Sequence, residues 1–507
     1  MYKEDLTEEE QLNNDEVKDN AFVLEESSND ENKIDNSGKK VVKNIFMVLI
    51  GNIFTVLSGV LVGFVVPKIM SQTDYGYYKI YTLYVSYVGI VQLGFNEGIN
   101  LAFGGKKYDT LNKEKLRRYF RILLYFQLII TLITCGISLM FINTPYGYIV
   151  FFLGAISFAM NVFGFYQSLS QAVGAFKEIT IVNFWRTGLT FASVLIFVIL
   201  YKTNVISTLS YKLYIISIAA TSFIEAIWFM IRFRDITFGK AASFKEEKGE
   251  ALRFIKMGFP LLIANLVSSL ILALDRQFVS VLFSKEDYAI YAFAYNMVTL
   301  ITTAISAISM VLFPTIKTYS LERLKTDYRR LIAIIAIFVS FCLLSYFPLE
   351  FIVNHWLDKY NASLDYFKVL LPSLIFSSCV SMIMFNYYKT LNKSFMYFII
   401  SCIILALSAL FNLIGYLIFK NMICMSIASV ITQIIWYIIA EIYFVKKWKI
   451  TNIKNFIYMV VVLSAFYLIV YFIDNVFIGC ALYGMTFIIV TIIFYFKLLK
   501  SKFTSTI

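Results

Sequence analysis

Fourteen apolar segments of about 20 residues recur along this 507-residue chain, the length an α-helix needs to cross roughly 30 Å of hydrocarbon. They span 44–66, 77–100, 119–142, 147–170, 181–201, 211–232, 254–283, 288–314, 331–353, 365–390, 395–419, 422–445, 454–473 and 476–497. The runs are continuous and lack the period-two alternation of a membrane barrel. Lipid offers a backbone amide no partner, so such segments must close their hydrogen bonds as helix. With 59% hydrophobic residues and a mean hydropathy of +0.72, the chain is more apolar than a protein with a water-facing surface. The fold class expected is an all-α integral membrane protein of about 14 transmembrane helices.

Residues 1–43 differ in kind. Thirteen acidic and six basic residues among many Asn and Ser read as a disordered acidic tail. It lacks the basic start and apolar core of a secretory signal, so no cleaved leader is expected. The net charge of +12 is not spread evenly. Basic clusters sit at the even-numbered junctions: Lys106, Lys107, Lys113, Lys115, Arg117 and Arg118; then Arg232, Arg234, Lys240, Lys245 and Lys248; then Lys317, Arg323, Lys325, Arg329 and Arg330. The odd-numbered junctions carry isolated basic residues such as Lys285 and Lys359. Positive loops stay on the cytoplasmic side. Both termini are therefore expected inside a cytoplasmic membrane, with Ser243 inside and Ser363 outside, and no nucleic-acid partner is needed. The six cysteines fall in apolar segments without a CxxC pair and read as small core residues. The outer loops are short, so the function is expected within the membrane.

A weak repeat runs through the chain. Met70-Ser71-Gln72-Thr73-Asp74-Tyr75-Gly76-Tyr77-Tyr78 aligns with Phe283-Ser284-Lys285-Glu286-Asp287-Tyr288-Ala289-Ile290-Tyr291, an offset of 213 residues. Six helices separate the copies, an even number, so both enter the membrane in the same sense. This predicts bundles at 44–232 and 254–445 related by a parallel pseudo-twofold axis, with two additional helices at 454–497. Transporters built from repeats place their substrate site between them.

At these residues the sequence resembles the polysaccharide flippases of the MATE-like multidrug/oligosaccharidyl-lipid/polysaccharide transporter superfamily. The resemblance covers nearly all of the chain from residue 44. It is carried by Gly51-Asn52-Ile53 through Pro67 to Asp74-Tyr75-Gly76-Tyr77-Tyr78, and by Leu93-Gly94-Phe95. Gly258-Phe259-Pro260-Leu261, Leu274-Asp275-Arg276 and Asp287-Tyr288-Ala289-Ile290-Tyr291 complete it. It implies a cavity between two six-helix bundles and alternating access for a polyprenyl-linked oligosaccharide, moved from the cytoplasmic to the outer leaflet. The implied partners are that lipid-linked substrate, membrane lipids and a coupling Na+ or H+. No cofactor is implied, and the chain is expected to act as a monomer.

Charge within the membrane is costly and concentrates at functional interiors. Asp275 and Arg276 fall inside the seventh segment, and neighbours in sequence point about 100° apart on a helix, so each needs its own partner. The planar fork of Arg276 suits a pyrophosphate, whereas a structural ion pair is the plainer reading. Arg186, near the inner end of the fifth segment, is either a phosphate contact or an ordinary basic flank. Gln92, Asn96 and Asn100 share one face of the second segment, with Glu97 beside them, and Asn161 lies on the fourth. Such amides suit sugar hydroxyls and equally suit helix–helix hydrogen bonds. Glu225, an isolated acid in the sixth segment, and Asp275 are the candidates for ion coupling. The sequence holds no glycine-rich phosphate loop and no nucleophile–base pair, so an enzyme is not expected. The rival readings are a cation-coupled drug exporter of the same superfamily and a membrane polymerase or glycosyltransferase. Twelve helices are usual in the former, and the latter generally needs a large loop.

Overall fold

The computed structural model describes residues 58–317, 320–391, 393–450 and 452–503. The acidic tail and the Gly51-Asn52-Ile53 motif lie outside the described residues. Among those described there is no strand, and eleven helices are long and apolar enough to cross a membrane. These match the third to seventh and the ninth to fourteenth expected segments. The first is met by the helix at 58–69, the second by a broken helix between Gln72 and Phe103, and the eighth by Lys285–Lys317. The outward faces carry exposed Leu128, Ile129, Leu132 and Ile133 on one helix, and Ile488, Ile489, Ile492 and Ile493 on another. Apolar side chains exposed on this scale would be a liability in water and are the expected surface against lipid.

Two of the expected continuous helices are broken. Gln72–Val85 gives way to a 3-10 turn at Val88–Gln92, and Phe95–Phe103 resumes the span. Leu93 and Gly94 between them have φ of 55° and 84°, a conformation glycine adopts at no cost. Likewise Phe244–Ile271 ends at Leu272, and Leu274–Leu282 restarts after Ala273, whose φ of −124° and ψ of −6° are not helical. Interrupted helices at membrane depth persist where they are buried in protein or line a cavity.

Phenols do much of the interhelical bonding. Tyr387 donates to the Leu324 carbonyl (3.2 Å), Tyr388 to Ala440 (2.9 Å), Tyr467 to Val369 (2.9 Å) and Tyr483 to Ser340 (2.8 Å). The last two fasten the helices Ile453–Phe472 and Val476–Phe503 to the preceding ones. Lipid tails are as apolar as leucine and give no hydrophobic drive for helix association, so such bonds and close packing hold the bundle. The abundance of tyrosine, 35 residues, fits that use.

The repeat has a local structural counterpart. Ser71 Oγ accepts from Asp74 N (3.0 Å) and donates to the Asp74 carboxylate (2.6 Å). Ser284 does the same with Asp287 at 3.0 and 2.7 Å. Each pair caps the helix that follows, satisfying one of its free amides.

Ser363 is fully buried, whereas Ala362 and Ser243 are exposed, so Ala362 is the better outer reporter. With the native cysteines removed, a cysteine at Ala362 is expected to react with an impermeant thiol reagent on intact cells. One at Ser243 is expected to react only after permeabilisation. Reaction at 243 in intact cells would reverse the orientation.

Candidate functional site

The polar chemistry gathers along a seam between the helices before residue 232 and those after 244. At one end of this seam Thr73 donates to Glu286 Oε1 (2.5 Å). These residues are equivalent in the 213-residue offset, and equivalent positions of two copies meet only near a twofold axis. Gln72 donates to the Lys359 carbonyl and Lys359 to that of Met70, both at 2.5 Å. Burial and the nearby Lys68 ammonium push the Lys359 amine below its ordinary value. The Lys285 carbonyl fills the space a side chain on Gly76 would need.

At the opposite end backbone meets backbone. A methyl on Gly98 would overlap the Phe254 carbonyl, and one on Gly258 would overlap Gly94 and Gly98. Small residues let membrane helices approach this closely. Beside them Lys115 pairs with Glu247 (2.9 Å), and Tyr119 donates to the same carboxylate. The seam is thus closed at both ends in this conformation.

Between the ends lies a charged cluster. Asp275, 2% exposed, stands in the first turn of Leu274–Leu282. One oxygen accepts from the Arg276 amide (2.8 Å); the other accepts from Tyr291 (2.8 Å) and Tyr295. Arg276 lays its guanidinium over the Tyr295 ring at 4.5 Å and donates weakly to the Leu272 carbonyl at 3.4 Å. Its Nε is buried without a partner. From the other side of the seam, Lys79 donates to Asn296 Oδ1 (3.1 Å), one residue along from Tyr295. Arg276 and Lys79 are close enough to repel. Two basic side chains therefore lie close together where the one carboxylate beside Arg276 is already satisfied by two phenols and an amide. An anion with several acceptor oxygens would relieve that imbalance.

The break at Leu93 and Gly94 divides the amide stripe expected on one continuous face. Gln92 Oε1 instead accepts from Asn96 N (2.8 Å), and its Nε2 donates to Glu97 (2.6 Å). Asn96 donates to the Asn161 carbonyl (3.2 Å). Asn161 donates to Val88 O, Gln127 and Ser157 at 3.1–3.2 Å. Gln92, Asn96 and Asn161 are all buried, holding the broken helix against Pro145–Ala172. Asn100 reaches Gln171 (3.1 Å) nearer the surface.

Glu225 is not isolated, contrary to the sequence expectation. Arg186 clasps it with two bonds, Nε to Oε1 at 2.6 Å and Nη2 to Oε2 at 2.5 Å. A second fork of opposite sense joins Arg232 to Glu178 at 2.9 and 2.6 Å, across the same helices Phe176–Lys202 and Tyr211–Arg232. Glu178 was outside the expected segment, and its partner read as a loop charge. The Arg186–Glu225 pair borders a cavity of about 210 Å³ that Thr190, Ser193, Thr221 and Ser222 also line. Ser193, Thr221 and Ser222 donate to carbonyls of their own helices, so they turn lone pairs toward the cavity. Glu441, 7% exposed, is a further buried acid that the sequence reading passed over.

The sequence profile of a family described as "Polysaccharide biosynthesis protein" matches residues 41–320. Among curated proteins none matches the sequence. Among solved structures the chain is similar to a lipid II flippase MurJ in an inward closed conformation, with 14% identity and a TM-score of 0.65. That match covers 90% of this chain and all of the other. It is also similar to an inward-facing multidrug resistance MATE family transporter of the MOP superfamily, at 13% identity and a TM-score of 0.58. There 79% of this chain and 94% of the other are covered. At such identities the likeness is one of fold.

Removing one partner of the Arg186–Glu225 fork leaves a charge stranded. Because Arg186 is 45% exposed while Glu225 is 4% exposed, Arg186→Ala is expected to cost about 1–3 kcal/mol, below the 3–5 typical of a fully buried pair. Arg186→Met with Glu225→Leu should cost less than Arg186→Ala. Thermal unfolding of purified protein in detergent checks the order.

Proposed function

The chain belongs to the polysaccharide biosynthesis protein family, and we propose that it carries a polyprenyl-(pyro)phosphate-linked oligosaccharide from the cytoplasmic to the outer leaflet. The observation that carries this reading is the Lys79–Arg276 pair on the seam, with the unpartnered Arg276 Nε. Cationic groups held inside the membrane are expensive, and a lipid phosphate is a cargo that rewards them. The seam closed at both ends suits alternating access, in which each end opens in turn. Lipid II, the substrate in the name of the flippase of similar fold, belongs to the same chemical class of anionic lipid-linked sugar.

In this mechanism the carrier's phosphate displaces weak contacts of Arg276 and Lys79. The Tyr295 face and Asn296 hold both basic groups in position beforehand. The phosphate's oxygens accept from the arginine fork, which is geometrically matched to them. Asp275 holds Arg276 from behind through its backbone and through Tyr295, and the Asp275 carboxylate also stands as a candidate for a coupling Na+ or H+. The sugar follows through the seam while the polyprenyl tail stays in lipid. The basic-loop alternation supports a reading in which both termini lie on the cytoplasmic side.

Arg276→Ala is expected to be made and inserted normally but to slow export strongly, since a hydrogen bond to a charged group is worth on the order of 1.5–3 kcal/mol. Lipid-linked precursor should then accumulate on the cytoplasmic side. Arg276→Lys should recover part of the export, keeping the charge and losing the fork. Pools of precursor and surface polysaccharide in complemented deletion cells measure this. Unchanged pools in the deletion strain, with a gain in sensitivity to cationic drugs, would favour a drug exporter.

A further inference from the structure

Glu441 lies on Met422–Trp448, seven residues before the end of that helix, or about 10 Å along it. It enters none of the salt bridges among the described residues. Its Oε1 is buried with no hydrogen-bond partner, and the nearby Tyr328 hydroxyl is buried and unpartnered too. Tyr437 and Asn452 are its polar neighbours. A lone carboxylate in hydrocarbon is disfavoured unless a proton or a cation neutralises it.

The groups that stand beside it are phenols, a thiol and an amide. Tyr437 is on its own helix, Tyr328 on Leu321–Cys342, and Cys379 on the helix that faces both. The cations nearby are turned elsewhere. Lys446, Lys447, Arg329 and Arg330 are exposed. Lys389 lies on the Phe385 ring and Lys454 faces the Tyr495 ring.

Two further features mark the place. Cys379 opens a π-helical stretch, Cys379–Met384, in an otherwise α-helical span, and such wide turns recur at functional positions. The polar partners of Glu441 also reach the last two helices. Asn452 donates to Tyr437 (3.2 Å), Asn455 donates to Asn452 (2.5 Å) and to the Arg329 carbonyl (2.9 Å), and Tyr495 donates to Asn455 (2.6 Å). The charge state of one carboxyl thus bears on contacts joining three parts of the molecule.

We infer that Glu441 is a proton-binding site of the transport cycle, loaded and emptied from the side where this helix ends. The inference rests on the transporter reading above. The carboxylate takes a proton from hydronium, leaving water. The neutral acid then has a donor, which the Tyr328 oxygen can accept. Release to water restores the carboxylate, whose penalty for staying buried favours a conformation that exposes it. Proton movement is tied in this way to opening of that end.

Infrared difference spectra of the full-length protein in lipid nanodiscs, titrated with pH, test the site without any cargo. The expected result is a protonated-carboxyl band that disappears as pH rises and is missing in Glu441→Gln. Absence of any band that Glu441→Gln removes overturns the proposal. In cells, Glu441→Gln should be made at the normal level yet lose most export, while Glu441→Asp keeps part of it. A purely structural glutamate would tolerate Gln, which keeps the size and polarity of the side chain beside Tyr437 and Asn452, so full export by that variant also overturns it. If the cargo is not a lipid-linked sugar, the infrared band still appears, and the two readings fail separately.

Discussion

In hydrocarbon a polar group has no water to turn to, and that constraint shapes each part of this molecule. Backbone amides close into helices. Tyrosine hydroxyls reach carbonyls on neighbouring helices, as Tyr388 does with Ala440 and Tyr483 with Ser340. Where helices break, at Leu93–Gly94 and at Leu272–Ala273, side chains step in: Gln92 caps Asn96, and Asp275 accepts from Arg276. Polar groups left without partners therefore carry information. Arg276 Nε and Glu441 Oε1 are two of them, and they mark the proposed cargo contact and the proposed proton site.

The broken helices and the seam are one design. Glycines at 94, 98 and 258 allow backbone contact at one end, while Thr73, Gln72 and Lys359 clamp the other. The glycine contact is flanked by the Lys115–Glu247 pair and by Phe254 packed on Phe95 and Tyr119, contacts that must part for this end to open. The forks Arg186–Glu225 and Glu178–Arg232 work differently, fixing Phe176–Lys202, a helix with little burial, to its neighbour. Charge pairs fixed within one side, with the seam closed by separate contacts at each end, is an arrangement that suits a rocking motion.

The helices were legible because their length is imposed by the membrane and leaves a direct trace in apolar runs. The Ser71–Asp74 and Ser284–Asp287 caps were visible as a repeat for the same local reason. The breaks were hidden: both flanks of Leu272 are apolar, and Gly94 gave only a hint. Pairing was hidden as well, because the partner of Glu225 depends on how two helices rotate against one another. The amide stripe failed on geometry, since the i, i+4, i+8 argument assumes an unbroken helix. Glu441 was within reach of the rule that selected Glu225, since it too is an acid inside an apolar segment, five positions before Lys446.

In the proposed cycle the two ends of one seam open in alternation around an anionic lipid carrier. Pulsed electron-spin distances test it most directly, with one label pair at Gln72 and Asp358 and another at Asn100 and Lys256. In nanodiscs with polyprenyl pyrophosphate added, the account predicts reciprocal shifts, one pair lengthening in the population where the other stays short. Both pairs lengthening together, or neither responding to the carrier lipid, would contradict it.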